Sequence, residues 1–402
     1  MAAKICILLS FSLSILDSVL CVLGLSRSTQ QLPLSAPSLS FPRDSYRMSL
    51  PIYPLFTRKT QFKDLDSLLI ARLRDDAARV KSIDAIMNMY KTRKVYDIPV
   101  SSGYVLYNGD TFQYVTLVGV GQPSQYFYFI LDTGSDLNWV YSDLCNVCGH
   151  DLFYRNMSST YKEISCYMEQ CQYVRYHTCL YQSCYYALRY GDGASAAGIL
   201  SLEKLSFGIN SFNNLLIGAT RRAQDIAVTP GLLGLSRGKL SLVSQLNASS
   251  FSYCLVQHSS TASSTLDFNT SILPGSDITA LLPHDIFYQV TLTLISVNRQ
   301  QIPVVSGRYD GKMNIDSGTI VTRLPSRIYY QFRDAFIQTS RGFSNRISYD
   351  GFDTCYEFYH VVDPIFPLVW LHFGKTILRL GPANVFVELP LRLSFQPMQL
   401  LY

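Results

Sequence analysis

The sequence has 402 residues, 48% of them hydrophobic and 16% charged, which suits two or three globular domains and argues against a coiled coil or a disordered chain. Its 28 Tyr and 22 Phe residues favour β-structure. The formal net charge of +5 comes from the first quarter of the chain. Residues 1–97 hold 14 Lys and Arg against 8 Asp and Glu, whereas residues 98–402 hold 20 Lys and Arg against 21 Asp and Glu. This balance does not support a basic nucleic-acid-binding surface on the main body.

Residues 1–25 have the pattern of a targeting segment. Lys4 is the only charge before an apolar run that begins at Ile5. A short basic start followed by an apolar stretch is typical of a secretory signal peptide. An uncleaved membrane anchor, disfavoured by Asp17, and a plastid transit peptide are the alternatives. We expect the secretory pathway, with an extracellular (apoplast) or vacuolar destination, or else the chloroplast.

Residues 26–97 combine two kinds of segment. Residues 26–60 are rich in Ser, Pro and Leu without a period and predict a linker. Within residues 64–95, apolar residues recur at helical spacing among Arg and Asp, which predicts an amphipathic helix. This basic helix is interpreted as a removable prosegment; the alternative is a solvated helix packed on the body.

Six of the ten Cys residues are crowded into one stretch: Cys145, Cys148, Cys166, Cys171, Cys179 and Cys184. In an oxidising compartment this pattern predicts a disulfide-stapled insertion whose pairing the sequence leaves open. The alternative is a zinc site that would use Cys145 and Cys148 with His150 or His177. Three N-glycosylation triplets, at Asn156, Asn247 and Asn269, agree with secretion.

From Tyr104 onward the pattern is strand-like. Short apolar runs between Gly, Asn, Ser and Pro predict strands at Gln113–Val118, Tyr126–Leu131, Ser201–Phe207 and Tyr288–Ile295. Short helices are predicted at Leu240–Leu246 and around Ser326–Phe336. The fold is therefore predicted to be mostly β.

An internal duplication divides this body in two. Phe127-Tyr-Phe-Ile-Leu-Asp132-Thr-Gly-Ser recurs as Lys312-Met-Asn-Ile-Asp316-Ser-Gly-Thr, about one lobe later. Self-similarity at this spacing predicts two homologous lobes that face each other. We assign residues 98–270 to an N-terminal lobe with the Cys-rich insertion and residues 271–402 to a C-terminal lobe.

Each repeat contains an Asp at the end of a strand, followed by a Gly turn. The turns at Gly134 and Gly318 push a carboxylate out of a core into a cleft. The hydroxyls of Ser135 and Thr319 can orient these carboxylates. Two adjacent carboxylates share one proton, so that one acts as a base and the other as an acid, which is the equipment for activating water against an amide.

The two segments Ile130-Leu-Asp-Thr-Gly-Ser-Asp-Leu-Asn-Trp-Val140 and Ile315-Asp-Ser-Gly-Thr-Ile-Val-Thr-Arg-Leu-Pro325 resemble the active-site segments of pepsin-like aspartic proteases. Other stretches are similar to the plant branch of that family, the nepenthesin-like and chloroplast-nucleoid-type proteases: Tyr190-Gly-Asp-Gly, Gly231-Leu-Leu-Gly-Leu-Ser-Arg-Gly, Leu240-Ser-Leu-Val-Ser-Gln-Leu, Phe251-Ser-Tyr-Cys-Leu and Asp353-Thr-Cys-Tyr. The resemblance implies the bilobal pepsin-like fold, and it covers about residues 64–388.

The resemblance also implies roles for single residues. Asp132 and Asp316 would form the catalytic dyad, and Thr133 and Ser317 would brace the two loops. Tyr190 would lie on a flap over the substrate with Trp139 beside it. The resemblance implies polypeptide substrates and a monomer, without a cofactor, a metal ion or nucleic acid, and without a membrane once the signal peptide is cleaved.

The end of the sequence departs from the family pattern. About 100 residues separate Asp132 from the Gly segment that ends at Gly234, and the same distance after Asp316 would pass Tyr402. This arithmetic predicts a truncated, incomplete second lobe. Because Cys254 and Cys355 would normally bond to the missing tail, we expect them to be free unless they pair with each other.

Three functions follow from these observations. The first is an aspartic endopeptidase made as a zymogen. The second is a catalytically inactive binding or inhibitor protein with a protease fold, because the second lobe is predicted to be incomplete. The third, a DNA-binding protein, depends only on the chloroplast-nucleoid resemblance and the basic prosegment, and the charge of the body argues against it.

Overall fold

A computed structural model describes most of the two predicted lobes and three short segments before them. The described residues are 3–7, 21–23, 48–54, 114–148, 151–190, 194–224, 229–254, 264–269, 272, 275–305, 310–319, 322–340, 344–349, 352–358 and 365–390. The predicted amphipathic helix of residues 64–95 and the final residues 391–402 lie outside them. No helix among these ranges is long and apolar enough to cross a bilayer.

The N-terminal lobe is built on one large sheet. Its strands are β2 (Cys21–Leu23), β3 (Met48–Pro54), β4 (Tyr114–Val120), β5 (Gln125–Asp132), β6 (Trp139–Tyr141), β7 (Lys162–Glu163), β8 (His177–Leu180), β9 (Ser183–Arg189), β10 (Ser195–Phe207), β11 (Asn210–Gln224), β12 (Gly231–Gly234), β13 (Phe251–Cys254) and β14 (Ser264–Phe268). The order across the sheet is β2-β13-β14-β3-β4-β5-β12-β6-β11-β10-β9-β8, and β7 pairs with β10.

The C-terminal lobe contains three smaller sheets in the described part. Its strands are β15 (Gln289–Thr291), β16 (Leu294–Val297), β17 (Gln300–Pro303), β18 (Lys312–Asn314), β19 (Ser344–Tyr349), β20 (Phe352–Phe358), β21 (Val369–Phe373), β22 (Thr376–Leu380) and β23 (Phe386–Pro390). The sheets have the orders β17-β16-β21-β22, β15-β18 and β19-β20-β1-β23, where β1 is Ala3–Ile7. The α-helices in the described part of the two lobes are α1 (Leu242–Gln245), α2 (Ser326–Thr339) and α3 (Pro382–Val385).

These elements confirm that the protein is mostly β. The four predicted strands and the two short predicted helices of the body lie where the pattern placed them, with shifted ends. The predicted strand Tyr288–Ile295 is divided into β15 and β16, whereas the predicted strand at Ser201–Phe207 begins earlier as β10.

A parallel pairing places the end of β5 at the centre of the lobe. β12 runs parallel to β5, with Gly231 opposite Phe129 and Gly234 opposite Asp132. A Cβ atom at Gly231 would lie 2.5 Å from the Phe129 ring, so only Gly permits this approach. Because β5 is buried among Val, Ile, Leu and Phe side chains, Asp132 is held at the end of a rigid strand.

Helix α2 covers the core of the second lobe. Its buried residues Ile328, Phe332, Ala335 and Phe336 recur at a spacing of three to four, so they form one apolar face. They pack with apolar residues of β16, β17 and β21 in one hydrophobic cluster. The predicted helix around residues 326–336 is therefore a structural support of the second lobe.

The Cys-rich insertion is stapled by three disulfides. Cys145 bonds to Cys148, Cys166 to Cys179 and Cys171 to Cys184. The last two bonds tie residues 166–171 to the hairpin of β8 and β9, in which Cys179 lies opposite Cys184. Disulfides leave no thiolates for a metal ion, so the structure decides against the alternative zinc site.

Strands from the first 54 residues pair with strands of each lobe. β1 lies between β20 and β23, with Cys6 opposite Cys355, and β2 pairs with β13, with Cys21 opposite Cys254. Cys355 is disulfide-bonded, so its thiol is not free. The removal of residues 1–25 as a signal peptide stays a prediction.

Candidate active site

The first predicted catalytic carboxylate is buried at the end of β5. The side chain of Asp132 has no exposed surface. The backbone N–H of Gly134 donates to its Oδ1 atom at 2.9 Å, and the Ser135 hydroxyl donates to its Oδ2 atom at 2.5 Å. Both oxygens of the carboxylate are thus oriented by the turn that follows it, and hydrogen bonds of this kind stabilise an ionised carboxylate.

The second predicted carboxylate has the same hydrogen-bond partners. The backbone N–H of Gly318 donates to Oδ1 of Asp316 at 2.9 Å, and the Thr319 hydroxyl donates to Oδ2 at 2.7 Å. The two carboxylates therefore occupy equivalent positions in the two repeats. Asp316 is more accessible than Asp132, since it is only half-buried.

A reciprocal set of hydrogen bonds joins the two loops. The N–H of Ser317 donates to the Thr133 hydroxyl oxygen at 2.9 Å, and the N–H of Thr133 donates to the Ser317 hydroxyl oxygen at 3.1 Å. Each hydroxyl then donates to a carbonyl of the opposite lobe, Thr133 to Ile315 at 3.3 Å and Ser317 to Leu131 at 2.9 Å. Because Asp132 precedes Thr133 and Asp316 precedes Ser317, these four bonds hold the two Asp residues side by side.

The loop of Asp132 is also fixed from within its own lobe. Leu235 N–H donates to the Asp132 carbonyl at 2.8 Å, and Ser236 N–H donates to the Ser135 carbonyl at 3.1 Å. The buried amide of Asn138 accepts from Gly234 N–H at 3.0 Å and donates to the Leu240 carbonyl at 3.3 Å. Asn138 was not predicted as a site residue; its only sequence signal is a polar residue within an apolar strand segment.

Trp139 and Tyr190 meet in the structure. The indole Nε1–H of Trp139 donates to the hydroxyl oxygen of Tyr190 at 2.6 Å. Trp139 is fully buried, whereas Tyr190 is half-buried. Tyr190 follows β9 in the hairpin between β9 and β10, and its N–H donates to the Ala194 carbonyl at 2.7 Å. A rigid indole therefore fixes the base of the hairpin that leads into Gly191, which is outside the described residues.

A buried tyrosine near the second carboxylate was also missed by sequence reasoning. Burial raises the pKa of Tyr253, and the negative charge of Asp316 raises it further. Tyr253 thus stays neutral over the whole range in which carboxylates titrate. It lies on β13, far from both motifs in sequence, so that no spacing rule could connect it with Asp316.

The arrangement as a whole suits acid–base chemistry on water. Two carboxylates at short range repel each other when both are ionised, so a pair on adjacent loops has the means to share one proton. One proton shared between them makes one group a base and the other an acid. Within the described residues, no group of three or more His, Cys, Asp or Glu side chains could hold a metal ion.

Comparison with known proteins agrees with this site. The family models of the xylanase inhibitor N-terminal and C-terminal domains match residues 114–268 and 287–392. The chain is 33% identical to Aspartyl protease family protein 2 of Arabidopsis thaliana over 357 residues, which cover 81% of this chain and 72% of that protein. It is 32% identical to the aspartic proteinase nepenthesin-1 of Nepenthes gracilis over 70% of this chain and 69% of that protein.

A second relative from Nepenthes gracilis, the aspartic proteinase nepenthesin-2, is 30% identical over 77% of this chain and 73% of its own length. The two family models together cover both lobes, and the residues that they match include both Asp motifs. The chain therefore belongs to the plant branch of the pepsin-like aspartic protease family.

Proposed function

We propose that the protein is an aspartic endopeptidase that hydrolyses peptide bonds of polypeptides with water activated by Asp132 and Asp316. The observation that carries the proposal is the matched set of hydrogen bonds at the two carboxylates, each bonded to a Gly N–H and a hydroxyl. The relatives are named proteases, which supports the same reaction.

The reaction needs one proton on the pair. The ionised carboxylate takes a proton from water as the oxygen attacks the peptide carbonyl carbon, while the protonated carboxyl gives its proton to the carbonyl oxygen. The tetrahedral intermediate then collapses: the C–N bond breaks, the amine nitrogen takes the proton that the dyad holds, and a hydroxyl of the intermediate returns one proton to the dyad as the carbonyl reforms. Tyr190 would cover the substrate from the hairpin that Trp139 supports.

Cleavage of an unfolded protein at acidic pH tests the proposal. Full-length protein, secreted and then acidified to about pH 4, should generate new amino termini in a denatured substrate, since the pair must hold one proton. Mass spectrometry of the fragments would identify the bonds cut. If no bond is cut at any pH between about 2 and 7, the proposal is wrong.

An inactive protein with the same fold is the second candidate. The family models carry the description of xylanase inhibitor domains, which favours a binding role. Against it, this chain keeps both Asp residues together with their hydroxyl partners, Ser135 and Thr319. A binding protein would not require a pair of carboxylates oriented in this way, so we favour the enzyme.

A secretory route agrees with several observations. Three disulfides staple the insertion, and such bonds persist in oxidising compartments. The apolar segment that starts at Ile5 has the character of a secretory signal. We therefore propose an extracellular or vacuolar protein, with the chloroplast as the alternative.

We further propose that residues 26–97 form an inhibitory prosegment. The first 97 residues hold the net positive charge of the sequence, and β3 within them is hydrogen-bonded between β4 and β14. A strand inserted in the main sheet would anchor the basic segment near the cleft. Acidification protonates cleft carboxylates and weakens their attraction to Lys and Arg, which would release the segment.

A shortened chain tests the prosegment. Full-length protein should show a lag before cleavage starts after acidification, because the segment must first leave. A chain that begins at Ile98, refolded and checked by circular dichroism, should cleave without a lag. If the shortened chain folds and shows the same lag as the full chain, the segment is not the inhibitor.

A further inference from the structure

A second carboxylate of the Asp132 loop has no role in the reaction described above. Asp136 follows Ser135, and its side chain contacts residues 236–241. Its Oδ1 atom accepts from the Ser236 hydroxyl at 3.3 Å, and its Oδ2 atom accepts from Leu240 N–H at 3.3 Å. The backbone of Ser241 also donates to this carboxyl group.

The opposing segment is shaped to receive this side chain. A Cβ atom at Gly238 would lie 2.3 to 2.5 Å from the carboxyl atoms of Asp136, so the two residues are in direct contact and Gly238 cannot be replaced without a shift. Together with the bonds of Leu235 N–H to Asp132 and Ser236 N–H to Ser135, the contact closes one side of the Asp132 loop. In the second repeat the equivalent residue is Ile320, so only the first loop has this carboxyl group.

We propose that Asp136 is a positioning residue for Asp132, whose carboxyl group clamps the catalytic loop against residues 236–241. The part of this inference that concerns catalysis depends on the proposed protease function. The part that concerns folding does not.

The surroundings of Asp136 explain why the clamp would depend on pH. Burial raises the pKa of Asp136 to about 6, and the hydrogen bonds from Leu240, Ser241 and Ser236 offset only part of the effect. These donors are uncharged. The two cations of the opposing segment face other groups: Arg237 donates to the Leu282 carbonyl at 3.5 Å, and the Lys239 ammonium lies 4.5 Å from the centre of the Tyr173 ring.

The sign of the effect follows from the direction of the shift. Because the folded protein holds the proton more tightly than the unfolded chain does, the stabilisation is complete below about pH 4 and is lost as the pH rises to about 6. Above that range a buried negative charge without a cation lies beside the catalytic loop. We therefore expect the loop of Asp132 to loosen as the pH approaches neutrality.

Thermal unfolding of the full-length protein tests the folding part. The midpoint of the wild type should fall as the pH rises from about 4 to about 6, and Asp136→Asn, which keeps the shape without the charge, should remove a large part of this fall. Asp277→Asn is the matched control, because Asp277 is exposed and should leave the profile unchanged. A profile of Asp136→Asn that is parallel to that of the wild type overturns the proposal.

Peptidase kinetics test the positioning part. Asp136→Ala should lower kcat about ten- to a hundredfold with KM changed less than about twofold, since a displaced catalytic group slows chemistry more than binding. Asp136→Asn should retain kcat at acidic pH and keep activity to a higher pH than the wild type does. An equal loss in kcat for both variants at acidic pH would overturn the role of the protonated form. If the wild type cleaves nothing, the proposed function fails, while the unfolding profiles still decide about the clamp.

Discussion

Replacing either Asp132 or Asp316 by Asn should lower peptide-bond cleavage at acidic pH by about a thousandfold, the scale of a lost general acid or base. An Asn side chain cannot share or transfer the proton on which the proposed reaction depends. The fold should persist, because the Asn carbonyl oxygen can still accept from Gly134 N–H or Gly318 N–H, as the carboxylate does at 2.9 Å. The expected result is a folded and inactive protein.

The control for these variants is another Asp→Asn change nearby. Asp310 is exposed and forms a surface ion pair with Lys312 at 2.7 Å, which contributes little to stability. The Asp310→Asn protein should therefore cleave the substrate at the wild-type rate. We would measure initial cleavage rates on a denatured protein substrate at about pH 4, and the thermal unfolding midpoint of each variant. If Asp132→Asn keeps more than about a tenth of the wild-type rate, the dyad is not the catalyst.

The parts of the site that are local in sequence could be predicted from it. An apolar strand, an Asp, a Gly and a hydroxyl residue stand next to one another in both repeats, so that the bonds from Gly134 and Ser135 to Asp132 follow from neighbouring residues. The apolar runs of β4 and β5, and the apolar face of α2, are also local patterns. Local hydrogen bonds and side-chain periodicity are what a sequence displays directly.

Contacts that depend on register between distant segments could not be predicted. Asn138 bonds to Gly234 and Leu240, and these partners become its neighbours only because β12 lies between β5 and β6. Asp136 acquires its surroundings for the same reason. A residue within an Asp-Thr-Gly-Ser-Asp run gives no sign of which segment will pack against its second carboxylate.

The disulfide pairing could not be predicted either, because it also depends on contacts between segments that are distant in sequence. Six Cys residues allow many pairings, and nearness in sequence gives the right answer only for Cys145 and Cys148. Cys179 and Cys184 are close in sequence and lie opposite each other in a hairpin, but each bonds to a partner 13 residues before it. The Cys-rich segment folds back on the hairpin, and this arrangement is tertiary.

The four hydrogen bonds between the Asp132 loop and the Asp316 loop should matter for both folding and the proposed catalysis. Thr133→Val keeps the shape of the side chain but removes the acceptor of Ser317 N–H and the donor to the Ile315 carbonyl. Ser317→Ala likewise leaves Thr133 N–H and the Leu131 carbonyl without their partners. Since an unsatisfied buried polar group costs about 1–3 kcal/mol, each variant should lose roughly 2 kcal/mol or more of stability.

The loss of activity should exceed what the loss of stability alone explains. The bonds hold Asp132 beside Asp316, and a displacement of about 1 Å at a catalytic group can lower the rate a hundredfold. Because both changes loosen one junction, the double variant should lose less than the sum of the two single losses. Thr293→Val is the matched control, since its hydroxyl donates to the His372 carbonyl at 2.9 Å on the second-lobe sheet. That variant should lose stability but keep kcat at temperatures where it is folded.

Calorimetry would measure the stability of each variant, and peptidase rates at acidic pH would measure its kcat. A Thr133→Val protein whose kcat stays within about twofold of the wild type would show that the dyad is aligned by other contacts.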